Sequence, residues 1–227
     1  MSQRHQVYAS LLLTLYATVS LAEKLPATDQ EKFSYAFGIQ VLNNIQEQGI
    51  HVDPESFLQA LDDGLHKKAL KLSMQDMQQI LVNYQKQQGQ KLSALAAANK
   101  TAGEKFLADN KTKPGVITLP SGLQYKIIKE GTGYKPTLKD TVTAHYEGSL
   151  LGGEVFDSSY KRGQPLQLHV NGVIKGWQEV LPLMSVGSKW QVFIPSSLGY
   201  GESGAGAQIG PNATLIFTIE LVSIDKS

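Results

Sequence analysis

The sequence predicts an α+β protein in which a helical first half precedes an antiparallel sheet wrapped on one short helix. Residues 29–112 repeat apolar side chains at helical spacing. From Gly122 onward, apolar and polar residues instead alternate with the two-residue period of strands. The only helix-sized segment of this second half, residues 177–184, is kept short by Pro182. Strands that outnumber one brief helix favour an antiparallel sheet packed on that helix.

Two shorter helices are predicted before residue 72. The first ends at Gly49, and the second begins with Asp53 as its N-cap and Pro54 in its first turn. Their apolar stripes are Phe33, Phe37, Val41 and Ile45, and Phe57, Leu58, Leu61 and Leu65. Two such helices rarely make a core alone. We therefore expect residues 29–84 to form a homodimer interface; the alternative is that these helices fold back on the C-terminal domain.

A third, long helix is predicted from Ser73 to about Asn110. At 1.5 Å per residue it would be about 55 Å long. Beyond Gln85 it is mostly Gln, Lys, Ala and Asn, so it should cross solvent as a strut. Gly89 and Gly103 should weaken it by about 1 kcal/mol each relative to alanine.

The second half contains several predicted strands. They lie at about 123–128, 141–150, 164–170, 188–195 and 213–222. In the second of them, Val142, Ala144 and Tyr146 should share one face. Gly152 and Gly153 indicate a two-residue hairpin after this strand.

Composition excludes several classes of function. The 227-residue chain carries a formal net charge of +1, which gives no electrostatic case for binding nucleic acid. The sequence has no cysteine, so disulfides, thiolate catalysis, zinc–cysteine sites and a cysteine-linked lipid anchor are excluded. No histidine lies at metal-ligand spacing from a second ligand, and no metal or cofactor is expected.

The first 22 residues have the pattern of a secretory signal peptide. Arg4 and His5 precede an apolar stretch that ends in small residues, and cleavage is expected after Ala22. The alternatives are a membrane-tethering helix and an ordinary N-terminal helix. The pattern predicts an exported protein.

One glycine motif is misleading. Residues 199–204 match the dinucleotide-binding fingerprint, which requires a helix that begins in the glycine run. Gly206, Gly210 and Pro211 forbid that helix. We expect an irregular loop at the mouth of a pocket instead.

Aromatic residues come from five separate segments of the second half: Tyr146, Phe156, Trp177, Tyr200 and Phe217. No nucleophile, metal cluster or phosphate loop accompanies them. They are typical of an apolar cup for an extended peptide, although composition alone leaves an ordinary core open.

Residues 121–222 closely resemble an FKBP-type peptidyl-prolyl isomerase domain. The upstream part is similar to the bacterial macrophage infectivity potentiator (Mip)/FkpA-like subfamily. The first resemblance rests on VFDS at 155–158, VIKGW at 173–177, LGYG at 198–201 and IGPNATLIF at 209–217. The second rests on FSYAFG at 33–38, QGI at 48–50, KPGV at 113–116 and LPSGLQY at 119–125.

The resemblance implies a half-barrel of antiparallel strands around the helix at Trp177, which would form the pocket floor. It implies that Asp157 and Tyr200 lie at the polar rim and that the backbone amide of Ile174 holds a substrate carbonyl. The remaining wall positions match Tyr146, Phe156, Val173, Ile174, Ile209 and Phe217. Leu166 stands where many relatives have a pocket phenylalanine, and Ala205 and Gln208 replace bulkier rim residues.

The sequence patterns and the resemblance together predict a division into four segments and a set of partners. Residues 1–22 would be the signal peptide, 23–72 a helical dimerisation region, 73–112 a connecting helix and 113–227 the isomerase domain. Expected partners are proline-containing polypeptides, macrolide inhibitors of the FKBP class and a second copy of the chain in a V-shaped homodimer. The location would be the periplasm, the outer membrane or the exterior. Alternative functions are a peptide-binding chaperone and a host-interaction factor, with isomerisation secondary.

Overall fold

The computed structural model describes residues 25–225, so the expected signal peptide lies outside the described residues. The described chain divides into one unit that ends at Asn44 and another that begins at Ile45. No helix between residues 25 and 225 is both long enough and apolar enough to cross a bilayer.

Helix α1 (Asp29–Glu47) makes up most of the first unit. Its start is a capping box, in which the Thr28 hydroxyl accepts from the Glu31 amide and the Glu31 carboxylate accepts from the Thr28 amide. None of its residues is buried, and Phe33 stacks on Phe37 with 6.0 Å between ring centroids. Gly49, with φ of +66°, follows the end of the helix as predicted.

Helix α2 (Pro54–Leu65) begins as predicted, with the Asp53 carboxylate accepting from the Ser56 amide at 2.9 Å. Phe57 is half-buried, but the rest of the apolar stripe is exposed, and Leu65 remains 81% exposed. Asp63 is buried in this helix and accepts a hydrogen bond from Gln59.

Helix α3 (Met74–Asn110) is the long predicted helix, capped by Ser73. The prediction that it crosses solvent is correct before residue 95 and wrong after it. Phe106 packs on Phe193 with 5.7 Å between ring centroids. Gln124 donates to the Leu107 carbonyl and accepts from buried Asn110. The last four turns therefore belong to the β domain.

Seven antiparallel strands form one sheet in the second unit. The strands are β1 (Val116–Thr118), β2 (Gln124–Lys129), β3 (Thr141–Leu150), β4 (Val155–Ser158), β5 (Leu166–His169), β6 (Lys189–Ile194) and β7 (Leu215–Asp225). Their order is β1-β2-β6-β7-β3-β4, and β5 pairs with β3 beside β4. The short β1 was not predicted, because three residues give too little alternation to detect.

Helix α4 (Lys175–Val180) continues into a 3-10 turn at Leu181–Leu183, so the predicted short helix is confirmed with a different start. It packs on the sheet through Trp177, Val180 and Leu181. The facing strands contribute alternate residues, as the burial of Val142, Ala144 and Tyr146 shows. Sheet and helix thus share one core, as the α+β prediction requires.

The hairpin between β3 and β4 differs in detail from the prediction. The Gly153 amide donates to Leu150, so Leu151 and Gly152 are the central residues of the turn. Gly153 has φ of +87°, a conformation that glycine adopts without steric cost. The hairpin is therefore one residue longer than a two-residue loop.

Candidate active site

The candidate site lies at the edge of the sheet, where β3 changes its partner strand from β5 to β4. The second half of β3 pairs with β4 and its first half pairs with β5, with Tyr146 between them. There the Ser159 side chain takes the place of a strand: its hydroxyl accepts from the Tyr146 amide at 2.7 Å and donates to the Tyr146 carbonyl at 3.1 Å. Residues 159–165 connect β4 to β5, so strand pairing along this edge of β3 is interrupted at Tyr146.

Four predicted aromatic residues meet beside this interruption of the sheet edge, and three of them, Tyr146, Trp177 and Phe217, are buried. Trp177 packs edge-to-face on Tyr146 and on Phe217, with 5.3 Å between ring centroids in both pairs. Phe156 packs edge-to-face on Phe217 at 5.6 Å. Such pairs add about 0.5–1.5 kcal/mol each beyond area burial. The rings therefore form one preorganised apolar cluster, here called the aromatic cluster: Tyr146, Phe156, Trp177 and Phe217.

Gly148 makes room for this cluster. A Cβ atom on Gly148 would lie 2.6 Å from Phe156 Cζ and 2.6 Å from Phe217 Cε1, closer than van der Waals contact permits. The strand register places Gly148 opposite Phe217 on one side and Asp157 on the other. Only glycine at this position lets both rings approach the strand.

A charged group closes one edge of the aromatic cluster. The Tyr146 hydroxyl donates to the Asp157 carboxylate, and the Arg162 guanidinium donates to both, reaching the Tyr146 oxygen at 2.8 Å. The guanidinium also lies 5.4 Å from the centroid of the Tyr146 ring, within cation–π range. The three side chains fix one another in position.

The electrostatic surroundings of Asp157 keep its carboxylate charged. Partial burial opposes ionisation of Asp157, but the hydrogen bonds from Tyr146 and Arg162 and the charge of Arg162 hold its pKa below the usual value. Burial, and then the hydrogen bond to the Asp157 carboxylate, raise the pKa of Tyr146. At neutral pH the site thus presents a carboxylate, a neutral phenol and a guanidinium.

Tyr200 stands apart from that group. It is 38% exposed, and its pKa is raised by burial and then by the charge of Asp157, which places the hydroxyl within electrostatic reach of the carboxylate. We find no hydrogen-bond partner for the hydroxyl of Tyr200 within residues 25–225. It is available to a ligand.

The other predicted residues surround the cluster at different depths. Ile209 is buried in the same core as the cluster. Val173 and Ile174 are partly buried and pack against that core. The Ile174 carbonyl accepts from Trp177 and Gln178, while its own amide finds no acceptor in the described part of the chain. Leu166, on β5, is 39% exposed and lies outside the core.

The indole of Trp177 is 4% exposed, and its buried Nε1 donates no hydrogen bond to any described residue. An unpaired buried donor costs about 1–3 kcal/mol. Native sites that retain such a cost call for an explanation. The unpaired donor is not specific to this site, because Trp190 Nε1 and Ser188 Oγ are also buried without a partner among the described residues.

Sequence reasoning missed Arg162. It follows Asp157 by five residues in the segment between β4 and β5, and its contacts depend on how that segment bends back toward Tyr146. The available signal was a cation close in sequence to a rim carboxylate. That signal is weak because most such pairs lie on the surface.

The geometry places a largely buried aromatic cluster next to a few polar groups. No group of three His, Asp or Glu side chains in residues 25–225 is placed to hold a metal ion. The arrangement suits binding and desolvation of a polar, extended ligand.

Comparison with known families decides the identity. The family model for FKBP-type peptidyl-prolyl cis-trans isomerase matches residues 133–222, which include the whole aromatic cluster. The chain belongs to this family. A second model, for the domain amino-terminal to FKBP-type peptidyl-prolyl isomerase, matches residues 30–127. The chain is therefore an FKBP-type isomerase, with the α+β fold expected of one.

Relatives match across nearly the whole chain. Outer membrane protein MIP of Legionella longbeachae is 46% identical over 204 residues, which cover 88% of each chain. Peptidyl-prolyl cis-trans isomerase Mip of Coxiella burnetii is 43% identical over 223 residues, 96% of each chain. The crystal structure of FkpA from Escherichia coli aligns with a TM-score of 0.63 at 33% identity, covering 89% of this chain and 99% of that one.

Proposed function

We propose that the aromatic cluster is the catalytic pocket and that it accelerates rotation about X–Pro bonds by desolvating the peptide. Rotation must break amide resonance, which gives a barrier of about 18–20 kcal/mol. The twisted amide has lost that resonance and is less polar than the planar form. An apolar pocket therefore binds the twisted form better, which is differential binding of the transition state.

The packing of four rings against one another is the observation that carries this proposal. Rings already in place need not reorganise when the substrate enters. Lowering the barrier by ~5 kcal/mol would raise the rate by nearly four decades. No covalent intermediate or cofactor is required for that gain.

We assign roles to the individual groups. Trp177 supports the proline ring, while Tyr146, Phe156 and Phe217 exclude water and Val173, Ile209 and Leu166 contact the substrate. The free amide of Ile174 holds a flanking carbonyl. The Tyr200 hydroxyl, which has no protein partner in the described residues, donates to a carbonyl near the rotating bond. Asp157 and Arg162 set the local polarity and hold Tyr146.

Two substitutions test these roles on a proline tetrapeptide. Tyr200→Phe and Asp157→Ala should each lower kcat/KM, while circular dichroism and the melting temperature show an intact fold. Tyr200→Phe removes one hydroxyl from a half-exposed ring, so it is the cleaner of the two. Unchanged kcat/KM in both variants would refute the roles assigned to these residues.

A macrolide of the FKBP-inhibitor class gives an independent check. If the aromatic cluster is the catalytic site, the macrolide should inhibit the tetrapeptide reaction competitively. Because Leu166, Ala205 and Gln208 replace larger side chains, we expect weaker macrolide contacts than the family pattern provides. Inhibition that is noncompetitive would place the active site elsewhere.

We further propose that α1 and α2 form a homodimer and that the dimer holds unfolded clients. The uncovered apolar side chains of these helices support the dimer: Phe33, Phe37, Leu58, Leu61 and Leu65. A stable protein rarely leaves such stripes in water. The chaperone role would then add to isomerisation.

A truncated chain tests whether isomerisation and chaperone activity belong to different parts of the protein. Because the end of α3 packs on the β domain, the fragment should span residues 90–227 rather than start at residue 113. We expect it to isomerise short peptides but not to suppress aggregation of an unfolded client, which the full chain should do. Equal suppression by both would assign the chaperone role to the isomerase domain.

Export is the remaining part of the proposal. The signal pattern of residues 1–22 and the name of the Legionella relative, an outer membrane protein, support a location in the periplasm, on the outer membrane or outside the cell. A host-interaction role is the alternative that this location allows. Cell fractionation of the full-length protein, with N-terminal sequencing for a start at Glu23, tests the export proposal.

A further inference from the structure

A groove runs between α3 and the β domain, beside the catalytic pocket. One wall is the helix face that presents Leu95, Asn99 and Ala102. The other wall is formed by the β3–β4 turn and by residues 207–214. Its volume is about 380 Å³, within the usual range for a ligand site.

A second depression, of about 250 Å³, joins this groove to the aromatic cluster. It is lined by Phe156 and Val155 together with four residues that also line the groove: Leu150, Glu154, Ala207 and Gln208. The shared residues make the two depressions adjacent. A chain that leaves the pocket past Phe156 would therefore enter the groove.

The helical wall is held firmly against the loop that carries Ile209. Asn99 Nδ2 donates to the Pro211 carbonyl at 2.8 Å, and Asn212 Nδ2 donates to the Ala96 carbonyl at 3.4 Å. A Cβ atom on Gly210 would lie 3.0 Å from Leu95 Cδ2, so helix and loop are in close contact. The groove is thus a fixed part of the isomerase domain.

The chemistry of the groove suits an extended polypeptide. Leu95, Leu150 and Leu151 offer apolar contacts, while Gln208 offers a donor and an acceptor for peptide groups. Glu154 is the one ionisable side chain among the described residues that line either depression. Its exposed carboxylate favours a basic residue on the bound segment.

We propose that this groove is a subsite for the polypeptide segment that flanks the isomerised X–Pro bond, with a preference for a basic residue near Glu154. The inference rests on the proposed location of the catalytic pocket. Substrates long enough to reach α3 bind more tightly than short ones. The helix that follows the dimerisation region is therefore also part of the substrate site.

Two tryptophan substitutions in the full-length chain test the subsite. Ala102→Trp fills the groove from an exposed helix position, and Ala97→Trp places the same side chain on the opposite face of α3. The probes are a proline tetrapeptide and versions extended by five residues, including a leucine and a lysine, on one side or the other. Isomerisation is followed by NMR exchange spectroscopy.

The expected result is specific to the longer probes. Extension on one side should raise kcat/KM by about fivefold in the unsubstituted chain and in Ala97→Trp, a gain equivalent to ~1 kcal/mol. Ala102→Trp should lose that gain and keep the tetrapeptide rate. Exchanging the probe lysine for glutamate should reduce the gain, and Glu154→Gln should abolish this difference between the two probes.

The outcomes separate this inference from the catalytic proposal. If the tetrapeptide is isomerised but neither extension raises kcat/KM, or both tryptophan variants behave alike, the subsite is refuted and the pocket stands. If Ala102→Trp also slows isomerisation of the tetrapeptide, the substitution alters the structure of the pocket, and the groove is not a separate subsite. If the unsubstituted chain does not isomerise the tetrapeptide, the catalytic proposal itself is overturned.

Discussion

Asp157 is the residue at which the polar and apolar parts of the site meet. Its neighbours in sequence, Phe156 and Ser158, point to the aromatic cluster and to Glu147 respectively. Its carboxylate accepts from a phenol and a guanidinium at once, and such charge-assisted hydrogen bonds are stronger than neutral ones. The position of Tyr146, one wall of the proposed pocket, therefore depends on the charge of Asp157.

The first prediction concerns stability at low pH. The pKa of Asp157 is lower in the folded protein than the usual value of about 3.9, so the unfolded chain binds this proton more readily. The stabilisation is complete above about pH 5 and is lost as pH falls through the folded-state pKa. The free energy of unfolding should therefore fall more steeply below about pH 4 in the unsubstituted protein than in Asp157→Asn.

Denaturant titrations at a series of pH values measure this difference. The carboxylate is 41% exposed, so the effect should stay below about 1 kcal/mol. Above about pH 5 the two curves should be parallel. A constant gap across the whole acid range would show that Asp157 is not coupled to folding through its charge.

The second prediction concerns Arg162. Arg162→Met keeps much of the apolar stem and removes the charge and the donors. The pKa of Asp157 should then rise toward its ordinary value, because two of the causes that lower it are lost. Carboxyl ¹³C NMR titration of Asp157 measures the shift. Arg162→Lys should show a smaller rise, since the charge is kept and the fork geometry is not.

At the scale of elements, α3 changes role along its length. Its first part has apolar side chains in water, such as Leu81 and Leu92, whereas its last four turns share the core of the β domain. Two glycines mark the two environments. Gly89 has open space around its Cα, while a Cβ on Gly103 would overlap the hydroxyl of buried Thr214. Packing therefore does not require glycine at position 89, whereas glycine at position 103 leaves room for Thr214.

The third prediction compares these glycines. Gly89→Ala should stabilise the chain by about 0.5–1 kcal/mol, because alanine restricts the unfolded backbone and favours the helix. Gly103→Ala should destabilise it by about 1–3 kcal/mol, because the added methyl group overpacks the contact with Thr214. Equilibrium unfolding in urea measures both.

A double variant is the control for the second change. Gly103→Ala combined with Thr214→Ala removes the overlapping hydroxyl, so much of the lost stability should return. If Gly103→Ala were as stabilising as Gly89→Ala, the close packing of α3 on the β domain would be refuted.

The helices and strands were predicted from the sequence more accurately than the contacts between them. The caps at Asp53 and Ser73 were predictable because capping is a local interaction. The packing of α3 was not, because the polar surface of residues 95–110 hides hydrogen bonds to residues more than a hundred positions away, as between Asn99 and Pro211. Arg162 was missed although its partners are near in sequence, because its contacts depend on how the segment between β4 and β5 bends back toward Tyr146. The aromatic cluster was predicted as a set, and its edge-to-face geometry required the register of β3 and β7.

At the scale of the whole molecule, the apolar stripes of α1 and α2 are the feature that the described chain does not cover. Phe33, Phe37 and Leu58 are each more than half exposed. Fully burying such a side chain contributes about 1.5–3 kcal/mol. A second copy that covered several of them would account for their presence.

The fourth prediction tests that arrangement. Phe37→Asp should convert the proposed dimer into a monomer at micromolar concentration, because a buried charge in an apolar interface is costly. Asn43→Asp adds the same charge to the same helix without removing an apolar side chain, and it should remain dimeric. Analytical ultracentrifugation distinguishes the two, and an unsubstituted chain that sediments as a monomer would exclude the dimer.

The outer strands of the sheet have a consequence for an enzyme that handles extended chains. An open strand edge can recruit any unfolded polypeptide as an additional strand. Here the edges are β1, with three residues, and β4 and β5, with four each. Edges this short offer few backbone partners, so an unfolded chain that meets the sheet edge is poorly held as an added strand.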